Sequence, residues 1–584
     1  MTRLAVDLGA TFADLVAWDD TALRILKRPV TGELVGDLMD GLAAMELDPA
    51  RLAELRLVTT APLNALLARR PEPVALLTTR GFGDTLRLGR QNRAALYDPV
   101  ARSPAPTFLV DPQDVHEIGG RLDAAGQELI PLDPDDIATA LSSLRARGIR
   151  SVAICLLFAH VNPAQEVQLA KALTEALPDL SVSLSHQVDP GPREYERSVS
   201  TLTDAWLAAH MDAALRDLRA ALQARGFAGE LLFGDGRGVL VPDQAAARHR
   251  AVLLAGAPAA AARAGAALSD QAPLIAADIG SLSADLSTAR AGDPRLSETG
   301  LLAGVPLREA CTDIESIALG GARRVAETPE GLTFVTTAPQ APRLDDALAA
   351  LGRLPATTPW TAPFPPEAVV AAAADRMAHA LTRYATRRNM DPGRAALAVM
   401  GGTGALLAAD IAASMGLDRV LLPRAPGASG AIGLMQAARR KEVLTRVDQP
   451  LNDLPAEALD PLLDGLEADL GSGEDLTYDL MLAARRQMHP MPLRLTIRPT
   501  SGQSIAEAFA AAFRAEYGIA PPGPGYLFSI SVRRDTFGPV PPMAPLSPTA
   551  TTGLIATEAG AIWCPEGWHL TGSETACILE RSLP

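Results

Sequence analysis

Lysine is nearly missing from this chain of 584 residues, in which arginine supplies almost all of the positive charge. The three lysines are Lys27, Lys171 and Lys441, and the sequence contains no Gly-Lys-Ser or Gly-Lys-Thr string. Such a string carries the lysine of a Walker-type loop, which contacts the nucleotide phosphates. A Walker-type nucleotide site is therefore excluded.

Closely spaced cysteines and net positive charge are also lacking. The four cysteines form no C-x-x-C pair, so nothing predicts a disulfide framework or a zinc site. The formal charge of -15 argues against a nucleic-acid-binding protein, which needs basic patches for phosphates. The sequence shows neither a signal peptide nor an apolar run long enough to span a membrane. We therefore expect a cytoplasmic protein that binds neither nucleic acid nor a membrane.

What the chain does contain is one short acidic pattern in two copies, at residues 4–14 and 274–285. Each copy is an apolar run followed by Asp, then Gly two residues later, then a hydroxyl residue and a second Asp. An apolar run that ends at a Gly turn is typical of a buried strand entering a hairpin. The N–H groups of such a turn can bind phosphate, and an Asp at the strand end can hold a metal ion. Two copies predict a paired phosphate clamp, although Asp and Ser also cap ordinary turns.

Strand-like and helix-like segments alternate along the chain, which is typical of an α/β layer structure. The chain is too long for one core, so we expect an α/β lobe at 1–190, a second α/β lobe at 191–445 and a smaller α+β module at 450–584. The apolar run at 152–158 predicts a buried strand. A predicted strand at 395–400 leads into Gly-Gly-Thr-Gly at 401–404. Because three residues of this loop are glycines without side chains, an adenosine could lie on the backbone.

These features together resemble the actin-like ATPase superfamily, in which two ribonuclease-H-like lobes close on ATP. Longer strings narrow the resemblance to the hydantoinase A/oxoprolinase family. They are Leu-Gly-Arg-Gln at 88–91, Cys-Leu-Leu-Phe at 155–158 and Arg-Glu-Tyr-Glu-Arg at 193–197, and the similarity continues over nearly the whole chain. A sugar kinase of the same superfamily would explain the turns but not these strings.

The resemblance implies an A-type subunit that uses ATP and Mg²⁺ to phosphorylate a carbonyl oxygen of a small cyclic amide or ketone. Family members hydrolyse hydantoins or 5-oxoproline, and relatives are subunits of acetone or acetophenone carboxylases. The implied partner is a B-type hydantoinase or carboxylase subunit. We therefore expect a hetero-oligomer or a homodimer.

The candidate site residues come from the two turns, the Gly-rich loop and the family strings. We expect Asp7, Asp278 and Asp285 to be catalytic, with Asp7 and Asp278 also holding Mg²⁺. The predicted nucleotide contacts are Gly9, Thr11, Asp14, Gly280, Ser281, Ser283, Gly401, Gly402, Thr403 and Gly404. The candidates for substrate contact are Asn64, Arg90 and Gln91. A helix cap at Asn64 and a structural ion pair at Arg90 are the alternatives.

The loops that should carry the chemistry depart from the family pattern. Ala13, Leu282 and Ala284 stand where the family has threonine, and Leu407 stands where it has histidine. Residues 318–323 read Ala-Leu-Gly-Gly-Ala-Arg in place of Gly-Ala-Gly-Gly-Gly-Ser. Losing one transition-state donor typically costs on the order of 3 kcal/mol. The alternative to a catalytic subunit is therefore a non-catalytic scaffold or regulatory paralogue with a degraded nucleotide site.

Overall fold

The structure is a computed structural model. It describes residues 2–92, 95, 97–98, 100, 105–269, 272–297, 300–308, 310–329, 331–338, 340–355, 359–471, 475–486, 491–538, 552–572 and 576–582. Within these ranges, no helix has both the length and the apolar character needed to cross a membrane.

The strands follow in chain order. They are β1 (Thr2–Leu8), β2 (Phe12–Trp18), β3 (Leu23–Pro29), β4 (Leu52–Thr59), β5 (Val74–Thr79), β6 (Val115–Ile118), β7 (Arg121–Leu122), β8 (Glu128–Ile130), β9 (Ser151–Cys155), β10 (Ser181–Leu184), β11 (Glu230–Gly234), β12 (Leu240–Pro242), β13 (Leu274–Ile279), β14 (Ala284–Arg290), β15 (Asp293–Pro294), β16 (Leu296–Ser297), β17 (Gly300–Leu302), β18 (Val305–Leu307), β19 (Cys311–Thr312), β20 (Glu315–Ile317), β21 (Arg324–Thr328), β22 (Gly331–Val335), β23 (Ala396–Met400), β24 (Arg419–Leu422), β25 (Arg439–Pro450), β26 (Leu476–Ala483), β27 (Met491–Leu495), β28 (Tyr526–Thr536), β29 (Gly553–Ala556), β30 (Ala561–Cys564), β31 (Trp568–Gly572) and β32 (Cys577–Arg581).

The α-helices alternate with these strands. They are α1 (Leu34–Ala44), α2 (Ala61–Leu67), α3 (Thr85–Leu88), α4 (Pro134–Ala146), α5 (Ala164–Ala176), α6 (Ser185–Val188), α7 (Glu194–Ala224), α8 (Asp243–Arg248), α9 (Gly256–Ala266), α10 (Leu344–Ala350), α11 (Pro366–Thr386), α12 (Gly404–Ser414), α13 (Ser429–Gln436), α14 (Ala456–Leu470) and α15 (Gly502–Tyr517).

The first lobe is built on the strand order β3-β2-β1-β4-β11, which lies within a ten-stranded sheet. β1, β2 and β3 are antiparallel neighbours, whereas β4 and β11 run parallel to β1. Leu4 and Val6 pack into a core that contains α7, and Ala5 packs into a second core that contains α13. Because both faces of the sheet are covered, the centre of β1 is a continuous apolar run.

The second lobe repeats this arrangement with the order β15-β14-β13-β23-β24, which β32 and β31 extend. β13, β14 and β15 are antiparallel neighbours, while β23 and β24 follow in parallel. Apolar residues of α10, α11 and α12 form the core on one face of this sheet. Three antiparallel strands followed by two parallel ones make each lobe ribonuclease-H-like.

A separate parallel sheet, β10-β9-β5-β6, lies beside the first lobe. The first turns of the long helix α7, which pack against β9, carry the Arg-Glu-Tyr-Glu-Arg string. Arg197 of this string is fully buried. Its guanidinium donates to the Leu156 carbonyl at 3.1 Å and lies 3.6 Å from the buried Glu166 carboxylate. A buried charge needs such partners, so this string ties α7 to the sheet.

Two helices carry the chain between the lobes: α9 connects β12 to β13, and α13 connects β24 to β25. The two helices pack closely, because a Cβ at Gly433 would lie 1.8 Å from the Ala260 carbonyl oxygen. Arg56 of β4 donates to the Met435 carbonyl oxygen at 2.6 Å and to the Leu434 carbonyl oxygen at 3.2 Å. The carboxyl end of α13 is thereby capped by a strand of the first lobe.

The predicted α/β fold with two ribonuclease-H-like lobes is confirmed. The sheets nevertheless mix the three predicted segments, because β11, β12, β25 and β26–β28 complete the first-lobe sheet, whereas β31 and β32 join the second. The domain boundaries therefore stay a prediction. One strand prediction was too long: the apolar run at 152–158 leaves the sheet after Cys155, and Phe158 has a positive φ of 60°.

Candidate functional site

The two predicted phosphate turns have the same backbone geometry. In the first, the Gly9 N–H donates to the Phe12 carbonyl oxygen at 3.0 Å. In the second, the Gly280 N–H donates to the Ser283 carbonyl oxygen at 3.0 Å. Each turn therefore links an antiparallel strand pair through four residues, as the sequence pattern predicts.

Each hairpin places two carboxylates opposite each other across its strands. Asp7 pairs in register with Asp14, and Asp278 pairs in register with Asp285. Like charges in directly opposed positions destabilise a sheet. Four such groups at the ends of two hairpins therefore indicate a site that needs a compensating cation.

The turns of the two lobes touch at their tips. The Thr11 and Ser281 hydroxyl oxygens lie 3.1 Å apart and share a hydrogen bond, although 270 positions separate them in the sequence. This contact joins two of the residues predicted to bind nucleotide. The site is thus one place in the folded chain rather than two.

Burial raises the pKa of both strand-end carboxyls to about 7. The charges of Asp14 and Asp278 raise the pKa of Asp7 further, while the Lys27 ammonium lowers it. At Asp278 the second largest cause is the charge of Asp285, and Lys27 again lowers the pKa. Asp7 and Asp278 are therefore close enough to interact across the lobes. Both carry a carboxyl that gains or loses its proton near neutral pH.

The second Asp of each hairpin has a partner on a neighbouring strand. Lys27 of β3 donates to both carboxylate oxygens of Asp14, at 2.7 and 2.9 Å. Ser316 of β20 donates to Asp285 at 2.5 Å. Neither bond is a turn cap, which was the alternative for these acidic residues. The sequence did not predict the roles of Lys27 and Ser316.

The Gly-Gly-Thr-Gly loop lies against the second hairpin. A Cβ at Gly401, where φ is +84°, would lie 2.2 Å from the Ile279 carbonyl oxygen and 2.6 Å from Asp278 Oδ1. A Cβ at Gly402 would meet no atom within 4 Å, so this position is open. Thr403 precedes α12 and is buried, and Gly404 is the first residue of the helix. The loop thus combines a close approach to Asp278 with an open backbone surface.

A second small-residue loop, residues 425–430 leading into the first turn of α13, completes the site and was not predicted from the sequence. The Pro426 carbonyl oxygen accepts from the Gly401 N–H at 2.9 Å, and the Gly427 carbonyl oxygen accepts from Lys27 at 2.9 Å. A Cβ at Gly430 would lie 1.9 Å from Asp7 Oδ2. This loop therefore contacts both lobes. Its signal in the sequence is the string Ala-Pro-Gly-Ala-Ser-Gly directly before an apolar helix.

The altered loop at 318–323 still supports the second turn. The N–H groups of Gly321 and Ala322 donate to the carbonyl oxygens of Gly280 and Ser281, at 3.1 and 2.7 Å. Arg323 donates to the Leu282 carbonyl oxygen at 2.5 Å. Asp345 of α10 lies against this loop, and burial raises its pKa to about 6. Asp345 is a further carboxyl near the turn that no sequence pattern indicated.

The predicted substrate residues lie outside this cluster. Asn64 is exposed in α2 and donates to the Thr60 hydroxyl at 3.3 Å, while the Thr60 N–H donates to the Leu8 carbonyl oxygen at the end of β1. Arg90 pairs with Glu196 of α7 at 2.8 Å. Within the described residues, no hydrogen bond or ion pair joins Arg90 or Gln91 to the two turns. A role for these three side chains in substrate contact stays a prediction.

The donor set fits a hard divalent cation held partly by other ligands. Asp7 Oδ1 is buried, and the described residues offer it no hydrogen-bond partner. Over the same part of the chain, no group of three or more His, Cys, Asp or Glu side chains is arranged to hold a metal. Mg²⁺ is typically bound through one or two carboxylates together with water and phosphate oxygens. Asp7 and Asp278 could hold it in that way.

Comparison with known protein families shows which family this chain belongs to. Residues 3–177 match the model of the hydantoinase/oxoprolinase N-terminal region, and residues 197–358 and 366–443 match the hydantoinase/oxoprolinase model. The chain belongs to the hydantoinase/oxoprolinase family. Both hairpins, the Gly-Gly-Thr-Gly loop and the loop before α13 lie within the matched residues.

Two curated relatives of this family member are subunits of larger enzymes. The acetophenone carboxylase gamma subunit of Aromatoleum aromaticum is 31% identical over 254 residues, which cover 40% of this chain and 34% of that protein. The caprolactamase subunit alpha of Pseudomonas jessenii is 33% identical over 264 residues, which cover 43% of this chain and 37% of that protein. The match therefore spans about a third of each relative's own length.

Solved structures extend the likeness to the whole fold. The crystal structure of the ATP-dependent caprolactamase from Pseudomonas jessenii matches with a TM-score of 0.80 at 21% identity, covering 100% of both chains. Identity at this level shows the fold. The β26–β28 region and the β29–β32 region, which follow the matched family models, are therefore part of a shared architecture.

Proposed function

We propose that this hydantoinase/oxoprolinase family member is an A-type subunit that binds Mg²⁺ and ATP between its lobes. In this proposal it transfers the terminal phosphoryl group of ATP to a carbonyl oxygen of a small cyclic amide or ketone. The observation that carries the proposal is the contact of the two acidic hairpins. Asp7 and Asp278 stand at the ends of β1 and β13, and the turns that follow them meet at Thr11 and Ser281.

The proposed reaction is a displacement at phosphorus. A bond forms between the carbonyl or enol oxygen and the terminal phosphorus, and the bond to the bridging oxygen breaks as ADP leaves. The product is a phosphate ester, which is far more reactive than the starting amide or ketone. Most of the acceleration in such a reaction comes from positioning and charge stabilisation.

The chain's own residues supply the binding and the proton control. The backbone N–H groups of the two turns are the donors for phosphate oxygens. Burial also raises the pKa of Asp285, which holds no Mg²⁺ in this proposal, so its carboxylate can accept the proton of an attacking enol oxygen. Mg²⁺, held by Asp7 and Asp278, would neutralise phosphate charge. Gly402 leaves an open backbone surface for the adenosine.

We propose a B-type partner, in a hetero-oligomer or beside a homodimer of this chain, for the second half of the reaction. The two curated relatives support this, since each is named as one subunit of a larger enzyme. In the proposed complex, this chain activates the substrate and the partner completes its conversion.

Calorimetric titration with Mg²⁺ and ATP tests the proposal. We expect wild type to bind, Asp278→Ala to lose at least tenfold in affinity, and Asp464→Ala to bind like wild type. Asp464 is a suitable control because its side chain is 66% exposed on α14, far along the chain from both hairpins. Binding that is unchanged in Asp278→Ala would place the nucleotide elsewhere and contradict the proposal.

A second candidate function is a non-catalytic scaffold or regulatory subunit for an active pair of relatives. It is favoured by the loss of hydroxyl groups at Ala13, Leu282 and Ala284, all within or beside the touching turns. Wild type that binds a B-type subunit but shows no heat of binding with Mg²⁺ and ATP would support the scaffold. Phosphate release that depends on both a carbonyl compound and ATP would support the enzyme.

A further inference from the structure

Lys27 differs from the other basic residues of this chain both in residue type and in position. Of 53 basic residues only three are lysines. Lys171 is 76% exposed and lies beside Glu175 one helical turn later, and Lys441 is exposed on β25. Lys27 points instead into the junction of the two lobes, where its side chain is 33% exposed.

The Lys27 ammonium is held by two structural elements at once. It lies opposite Asp14 in the β2–β3 register and donates to both carboxylate oxygens, at 2.7 and 2.9 Å. It also donates to the Gly427 carbonyl oxygen, at 2.9 Å, in the loop that connects the lobes. The Phe12 ring centroid lies 5.1 Å from the ammonium, within the range of a cation–π contact. The group is therefore fixed beside the first turn.

Lys27 lies within electrostatic reach of acidic groups from both hairpins. Its charge lowers the pKa of Asp7, of Asp14 and of Asp278, which belong to both hairpins. An ammonium in this position reduces the repulsion that these carboxylates exert on a phosphate that enters between the turns. An ammonium can share its three donors among several oxygens, and its direction is easily adjusted.

Lysine and arginine present their positive charge in different ways. A guanidinium is planar and presents a rigid fork, whereas an ammonium is a compact point charge. In a chain that uses arginine at nearly every other basic position, a lysine here indicates a role that depends on the compact group.

We propose that Lys27 is a phosphate-binding residue of the site between the lobes. Its ammonium keeps its bonds to one Asp14 oxygen and to the Gly427 carbonyl, releases the second Asp14 oxygen and donates that N–H to a phosphate oxygen of the bound nucleotide beside the first turn. Lys27 thus supplies positive charge that the backbone of the altered turns cannot. The inference rests on the proposed function, because it assumes that a polyphosphate occupies this site.

Calorimetric titration with Mg²⁺ and ATP, and separately with Mg²⁺ and inorganic tripolyphosphate, tests the inference. We expect Lys27→Met to bind both probes at least tenfold more weakly than wild type and Lys27→Arg to lie between the two. Lys171→Met is the matched control and should bind both probes like wild type. Equal affinity of Lys27→Met and wild type would overturn the inference while leaving the proposed function standing. Wild type that binds neither probe would overturn both.

A double-mutant cycle with Asp14→Asn separates phosphate binding from a purely supporting role. If Lys27 donates to phosphate, Lys27→Met weakens binding by a similar factor in the Asp14→Asn background. If Lys27 only holds the Asp14 carboxylate, Lys27→Met has no further effect in that background, which would overturn the inference. Thermal unfolding without ligand checks that each variant folds. Should Lys27→Met unfold, Lys27→Arg in both backgrounds gives the same comparison.

Discussion

Replacing Asp278 by Asn should make the chain more stable, and the gain should grow with pH. Burial raises the pKa of this carboxyl from 3.8 to about 7. Between about pH 4 and pH 7, the native state therefore holds this proton while the unfolded chain has lost it. The stability of the native state falls as the pH rises through this range and then levels off. Asparagine has no charge to bury and therefore removes this loss.

The expected change in stability follows from the size of the pKa shift of Asp278. The native pKa of about 7 lies about two pH units above pH 5. Raising the pH from 5 to above 7 therefore removes about 2.7 kcal/mol of native stability. Asp278 is partly exposed and Lys27 lies within electrostatic reach, and both reduce the effect. We therefore expect Asp278→Asn to stabilise the chain by about 1 to 2 kcal/mol more at pH 8.5 than at pH 5.

Urea unfolding of wild type and variant at the two pH values measures this difference. Asp464→Asn, at the exposed position on α14, is the control and should shift stability equally at both pH values. If Asp278→Asn gave the same change at both pH values, or destabilised the chain at pH 8.5, a buried carboxyl with a raised pKa would be refuted.

Three further substitutions test the packing around the site. Gly430→Ala would place a Cβ 1.9 Å from the Asp7 carboxylate, so calorimetry should show at least tenfold weaker binding of Mg²⁺ and ATP; normal binding would contradict the described approach. Gly433→Ala meets the α9 backbone at 1.8 Å and should lower stability by about 2 kcal/mol or more in thermal unfolding, whereas Gly465→Ala, with nothing within 4 Å, should be neutral or raise stability by up to about 1 kcal/mol. Arg197→Met removes the guanidinium beside the buried Glu166 carboxylate, which still accepts from the Leu156 N–H and contacts His186, and should cost about 1 to 3 kcal/mol in urea unfolding; a loss under about 0.5 kcal/mol would show that this ion pair is dispensable.

The two hairpins could be predicted from sequence because their signals are local. An apolar strand, an Asp, a Gly turn and a second Asp lie within about a dozen residues, and the backbone hydrogen bonds that close each turn join residues three positions apart. The Gly-Gly-Thr-Gly loop is similar, since it directly joins β23 to α12. Patterns of this length contain most of the information that determines the local fold.

The contacts that assemble the site could not be predicted in the same way. Thr11 and Ser281 meet across 270 positions, and Lys27 meets Gly427 across 400. These pairs depend on how the lobes face each other, which no local pattern contains. Lys27 and Asp14 are closer in sequence, yet their contact needs the β2–β3 register. The rarity of lysine is evident from the sequence, but it does not indicate that Lys27 lies at the site.

The apolar character of one segment also led to a predicted strand that is too long. The run at 152–158 is apolar throughout, and Leu156 and Leu157 are indeed buried. They are buried beyond the end of β9, where the Leu157 N–H donates to the Thr79 hydroxyl at 3.0 Å and Phe158 turns the chain with a positive φ. An apolar run predicts burial well, and it does not tell where pairing with the next strand stops.

The close crossing of α9 and α13 restricts how the cleft can open. Because the two backbones touch at Gly433, α9 and α13 cannot move closer together at this point. We therefore expect the lobes to move relative to each other by rotation about this crossing. Asp7 contacts the first turn of α13 and therefore moves least during such a rotation.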